Sequence, residues 1–152
     1  MYAEEIARLD LEALFPVRTQ TTGADRAFLL GMCELLGETR VAFDYIEIGS
    51  FLGGSLVPFL RDRRCRRIVS VDDRGRKQPD ERGATYDYTE ITAQTMLDQL
   101  HANGIDTAKL ETFDGSIDAL PPRATKFDLG FIDGENTPTK PAFAIFCGCC
   151  RT

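Results

Sequence analysis

Residues 44–56 read DYIEIGSFLGGSL: strand-forming residues run into Glu47, then Gly49, then the pair Gly53-Gly54. A buried strand has no structural use for a carboxylate near its end. A glycine-rich turn straight after such a strand lets backbone come close to something. The β-branched and aromatic content of VAFDYIEI, residues 41–48, suits a buried or half-buried strand.

Working outward, residues 2–14 predict a short amphipathic helix on Ile6, Leu9, Leu11 and Leu14. A second helix is expected from about Ala24 to Leu36, capped by Thr22 and ended by Gly37. After the opening strand, a helix runs from about Gly54 to Arg63, and RRIVSV makes a second strand ended by Asp72-Asp73. The polar stretch 73–88 is too long for a plain connector and reads as a lid or a disordered loop. A helix over 89–104, a short strand KLETF, a half-turn in GSIDALPP and a last strand KFDLGFID follow. Strands alternating with helices mean an α/β fold, a parallel sheet flanked by helices, behind an N-terminal helical segment.

Composition bounds the function. The 152 residues suffice for one core, and 43% hydrophobic with 28% charged residues describes an ordinary globular chain. A net charge of −6 argues against nucleic-acid partners and suits a small cation. Five cysteines without framework spacing make a disulfide scaffold unexpected. No apolar run reaches transmembrane length and the N-terminus is not signal-like, so no membrane partner and a cytoplasmic location are expected.

Parallel sheets bind ligands at the carboxyl ends of their strands. Those ends here carry Glu47-Ile48-Gly49-Ser50, Asp72-Asp73, Asp114-Gly115-Ser116 and Asp133-Gly134-Glu135. Each supplies a carboxylate. Asp, Gly and Ser are also ordinary turn formers, but four acidic ends together favour a site.

A dinucleotide fingerprint, G-x-G-x-x-G, is not met: Phe51 stands where its second glycine belongs. That spacing counts against a nucleotide-dependent oxidoreductase. The motif EIGSFLGGS instead resembles motif I of class I S-adenosylmethionine-dependent methyltransferases, in the branch whose fourth strand ends in IDG and an acid. Here that second motif is Ile132-Asp133-Gly134-Glu135, and Asp72 falls about twenty-five residues past Glu47, where the family places its ribose-binding acid. The resemblance spans roughly residues 25–137.

The resemblance implies S-adenosylmethionine as cofactor, on a Rossmann-like core over 41–137 that follows a helical segment, 1–40. Gly49, Ser50 and Gly53 would line the methionine end, and Glu47 would support that loop or take the amino group. Asp72 would hold the ribose diol, and Asp114 and Ser116 would lie near adenine. Phe51 is a pocket wall or plain core. Asp133 is the candidate base, also facing the cofactor, with Glu135 second; Asn136 stands where related chains often carry histidine. Some relatives hold a divalent metal near this acid; the partner carboxylates are not found, so no metal is assigned. The implied activity is O-methylation of a small-molecule or sugar-containing acceptor.

Members of this family have seven strands, ordered 3-2-1-4-5-7-6, and this chain supplies four. The tail 138–152 does not resemble the family; Pro138 and Pro141 oppose the expected helix. An incomplete sheet leaves strand 4 as an edge through which two copies could pair. The alternative function is therefore a non-catalytic or fragmentary domain that binds the cofactor weakly or acts through that edge.

Other features favour plain readings. RDRRCRR, 61–67, fits a solvated helix C-terminus. Cys147, Cys149 and Cys150 lack a second ligand pair for a zinc site, and Cys33 and Cys65 read as core or near-surface thiols on helices. His101 suits a helix C-terminus, and Tyr86 and Tyr88 either close over the cofactor or pack at a helix start.

Overall fold

The computed structural model describes residues 10–79, 85–120 and 127–133. Helices α1 (Leu11–Leu14) and α2 (Gly23–Thr39) precede strand β1 (Phe43–Ile48). A 3-10 turn, Gly54–Leu56, leads into α3 (Val57–Arg61) and β2 (Cys65–Asp72). Short strands β3 (Lys77–Pro79) and β4 (Thr85–Asp87) precede α4 (Ala93–Ala102), β5 (Leu110–Asp114), a 3-10 turn at Ile117–Ala119 and β6 (Leu129–Ile132).

Four strands form one parallel sheet in the order β5-β2-β1-β6. β1 pairs with β2 on one side and β6 on the other, so strand order reverses beside β1, where such sheets hold their ligands. The fold is Rossmann-like, an open parallel sheet flanked by helices.

β1 alternates buried and half-buried residues, and its fully buried Phe43 and Tyr45 face α3. Tyr45 stacks on Phe59, ring centroids 3.8 Å apart, and Phe43 meets the same ring edge-on. Leu56, Ile68, Met96 and Leu100 complete this side of the core. Both long helices start on threonine capping boxes: Thr22 accepts from Asp25 N–H, and Thr92 from Thr95 N–H.

Several expectations are corrected. Gly37 does not end α2; the helix continues to Thr39, and the Arg64 guanidinium lies where a Cβ on Gly37 would be. The helix after β1 is shorter than expected because its first turn is 3-10, and Cys65 opens a strand instead of sitting on a helix. Stretch 73–88 carries an antiparallel hairpin, Gln78 opposite Tyr86. α4 begins at Ala93, since Thr92 takes the cap. RDRRCRR is not a helix C-terminus throughout: the helix ends at Arg61, Arg64 pairs with Asp62 in the turn, and Arg66, already on β2, pairs with Asp44. Burial raises the thiols of Cys33 and Cys65, the latter to about 12, which keeps both protonated. His101 does not cap the helix with its ring, which meets the Thr107 hydroxyl at 2.7 Å.

Expected helix residues 2–9, Glu135, Asn136 and the tail with Cys147, Cys149 and Cys150 lie outside the described residues. No described helix is long and apolar enough to cross a membrane.

Candidate functional site at the carboxyl edge of the sheet

The loop after β1 concentrates unusual backbone. Gly49 and Gly53 take left-handed φ values of 89° and 82°. Phe51 takes φ 49°, a conformation that is uncommon and strained for a bulky side chain. Two groups grip its peptide units. Asp72 Oδ2 accepts Phe51 N–H at 2.7 Å, and Arg74 Nε donates to Phe51 C=O at 3.4 Å. The residue before Phe51, Ser50, is 2% exposed, and its Oγ has no hydrogen-bond partner. A buried hydroxyl without a partner is costly, by about 1–3 kcal/mol, unless something outside the chain satisfies it.

Glu47 does not reach the open edge. Its side chain shares the buried face of Tyr45 and is fully enclosed. Tyr45 Oη donates to Oε2 at 2.6 Å, and Ser55 Oγ donates to Oε1. Burial raises its carboxyl to about 7, against the two hydroxyls that favour the charged form. The second bond ties β1 to the loop's exit, since Ser55 lies in the 3-10 turn that leaves the loop.

Asp72 and Asp114 are register partners at the ends of β2 and β5. Like charges in that position repel. Arg74 resolves the conflict. Its side chain, 2% exposed, donates through Nη1 to Asp114 at 2.8 Å, while Nε lies 3.9 Å from Asp72 Oδ2. Its Nη2 donates to Ser70 Oγ at 2.8 Å and meets Met96 Sδ at 3.2 Å. Burial raises the Asp72 carboxyl above its ordinary value, opposed by Arg74 and by the Phe51 N–H. Gly115 donates its N–H to Asp72 C=O at 2.9 Å, tying the β5 loop to β2, and exposed Ser116 starts the following turn.

Across β1, Asp133 N–H donates to Ile48 C=O at 2.8 Å, which places this residue beside Gly49 at the switch point. Its exposed carboxyl is raised by partial desolvation, then by the charges of Asp25 and Asp72. Asp72, Asp114 and Asp133 thus share one edge, with Glu47 beneath it. Among the described residues, no group of three His, Cys, Asp or Glu side chains is placed to hold a metal.

The loop is roofed by two segments. A Cβ on Gly54 would overlap the carbonyl of Val17, so the arm 17–21 packs directly on it. Arg18 lies 5.8 Å over the Phe51 ring, and Tyr88 meets that ring edge-on at 5.7 Å. Gln20 donates to Tyr88 Oη at 2.9 Å, joining arm to hairpin, and Tyr86 stacks on Tyr88. Tyr88 therefore covers the loop, and Tyr86 extends the aromatic surface outward, 44% exposed.

Arg74, Arg18 and Gln20 escaped the sequence reading. The signal for Arg74 was present in VDDRGR: a cation two residues past an acid that ends a strand, at an otherwise acidic edge. Arg18 and Gln20 carry no such local cue.

No protein-family model matches the chain, and no curated protein matches it. Among solved structures, a candidate O-methyltransferase from Klebsiella pneumoniae is similar at 18% identity, covering 88% of this chain and 53% of that one, TM-score 0.48. The O-methyltransferase TomG from Streptomyces achromogenes, involved in tomaymycin synthesis and solved with SAM, is 21% identical over 88% of this chain and 53% of its own, TM-score 0.46. The methyltransferase domain of bacterial CtHen1-C is 17% identical over 69% and 47%, TM-score 0.46. The chain spans about half the length of these proteins.

Proposed function

We propose that this chain is the cofactor-binding part of an S-adenosylmethionine-dependent methyltransferase that acts on oxygen of a small-molecule or sugar-containing acceptor. The observation that carries the reading is the β1 loop: two left-handed glycines and a left-handed Phe51 clamped onto Asp72, around a buried, unpartnered Ser50 hydroxyl.

The residues present fit the ligand. Phe51 N–H occupies Asp72 Oδ2, which leaves Oδ1 for a ribose hydroxyl. Ser50 offers a hydroxyl to the methionine end, and Gly49 and Gly53 supply the left-handed turns that shape the loop there. Asp114 and Ser116 would border adenine. The cofactor supplies an electrophilic methyl group on a sulfonium. The chain contributes position, a net negative edge and exclusion of water. Asp133, with its raised carboxyl, is the group suited to take the acceptor's proton. Glu135, two residues on, is the second candidate for that role.

A second reading rests on the sheet edge. Among the described residues β6 pairs with β1 alone, and a further strand or a second copy could pair with its other side. On that reading the chain binds the cofactor without transferring a methyl group.

Calorimetric titration with S-adenosylhomocysteine, wild type beside Asp72→Ala, tests the cofactor assignment. Loss of about tenfold or more in affinity is expected, from roughly 1.5–3 kcal/mol. Equal affinity in the variant would remove Asp72 from the site. Robust methyl transfer by a monomer would exclude the non-catalytic reading.

A further inference from the structure

Arg74 is a buried charge that the proposed chemistry does not use. Its side chain, 2% exposed, joins two strands and one helix: Asp114 at the end of β5, Ser70 within β2 and Met96 on α4. Its Nε also reaches the carbonyl of Phe51, whose N–H is taken by Asp72. A strained backbone persists only where its surroundings over-determine it. Here the two peptide groups of one left-handed residue are held by an acid and a base two positions apart on the same chain segment.

We infer that Arg74 is a positioning residue for ligand binding: acting through Phe51 C=O and through the Asp72–Asp114 pair, it holds the β1 loop in its binding conformation. The inference rests on the cofactor reading above. Planarity is the physical reason for arginine. One rigid fork satisfies Asp114, Ser70 and Phe51 in three directions, which a lysine ammonium on a flexible stem cannot do at once. With the fork removed, Asp72 and Asp114 face each other unscreened, and Phe51 loses the partner of its carbonyl. The loop would then relax away from left-handed φ before any ligand arrives, and binding would have to restore it.

The test is calorimetry with S-adenosylhomocysteine on wild type, Arg74→Lys, Phe51→Asn and the double variant. Asparagine tolerates left-handed φ better than phenylalanine. Arg74→Lys is expected to weaken binding about tenfold or more in the wild-type background, and about threefold or less beside Phe51→Asn. Such non-additivity is a readout that general destabilisation would not produce. Unchanged affinity in Arg74→Lys overturns the inference. So does tighter binding, which would mean that Arg74 fills the ligand's place. An equal loss in both backgrounds also overturns it, because Arg74 would then act without Phe51. Arg74→Gln replaces the lysine variant if urea melts show the latter unfolded, with the same expectations. Absence of binding by wild type removes the cofactor reading and the inference with it, whereas wild-type binding with an indifferent Arg74 removes the inference alone.

Discussion

Asp72 accepts the backbone N–H of Phe51 at 2.7 Å, which makes one carboxylate both a loop anchor and the proposed ribose ligand. The two duties separate by substitution. Asp72→Asn keeps an oxygen for the Phe51 N–H and loses the charge; Asp72→Ala loses both. The alanine variant is expected to bind S-adenosylhomocysteine more weakly than the asparagine variant by about fivefold or more, one hydrogen bond's worth. Equal affinities by calorimetry would mean that the anchor contributes nothing to binding.

Glu47 links stability to pH. Its carboxyl sits near 7 in the folded chain, above its ordinary value of 4.5. Between these values the folded chain binds a proton that the unfolded chain does not, so stability falls as pH rises through this window. The contribution is fully present below the ordinary value and is lost above about 7. Its size is roughly 3 kcal/mol at most. Urea melts from pH 4 to 8 are expected to show this decline in wild type and a flatter profile in Glu47→Gln. Parallel profiles would mean that Glu47 titrates normally.

Gly54 is buried where the arm crosses the loop, and a Cβ there would overlap backbone oxygen of Val17. Backbone cannot swing aside as a side chain can. Gly54→Ala is therefore expected to destabilise the chain by about 1–3 kcal/mol in urea melts. Gly75→Ala meets no neighbouring atom and serves as the comparison for a left-handed glycine without crowding.

Thr22 closes the capping box of the longest helix with Asp25, hydroxyl to carboxylate at 2.6 Å. Thr22→Ala is expected to lower stability by about 1 kcal/mol and leave ligand affinity unchanged. A loss of affinity would show that α2 reports on the site through Asp25, whose charge acts on Asp133.

Much of the architecture was legible in the chain. The β-branched and aromatic runs at 43–48 and 65–72, the Thr22 cap and the acids at strand ends are local features, and local chemistry sets them. Parallel pairing followed from the alternation of strands with helices. Helix ends were less legible, because Gly37 lies inside a helix that Arg64 packs across, a contact between residues far apart in the chain. The hairpin in 73–88 was hidden by its polar composition, since both strands face solvent more than core.

The sequence by itself determined where the strands end and that Asp72, Asp114 and Asp133 stand at those ends, since strand period and turn chemistry act over a few residues. Only the tertiary structure decided what those residues do there. Glu47 turned inward because Tyr45 shares its face of β1 and Ser55 returns above it. Asp72 and Asp114 became neighbours because β2 pairs with β5, and that pairing placed the buried Arg74 between them. Partners forty residues apart meet through strand order and register, which depend on the whole sheet closing at once.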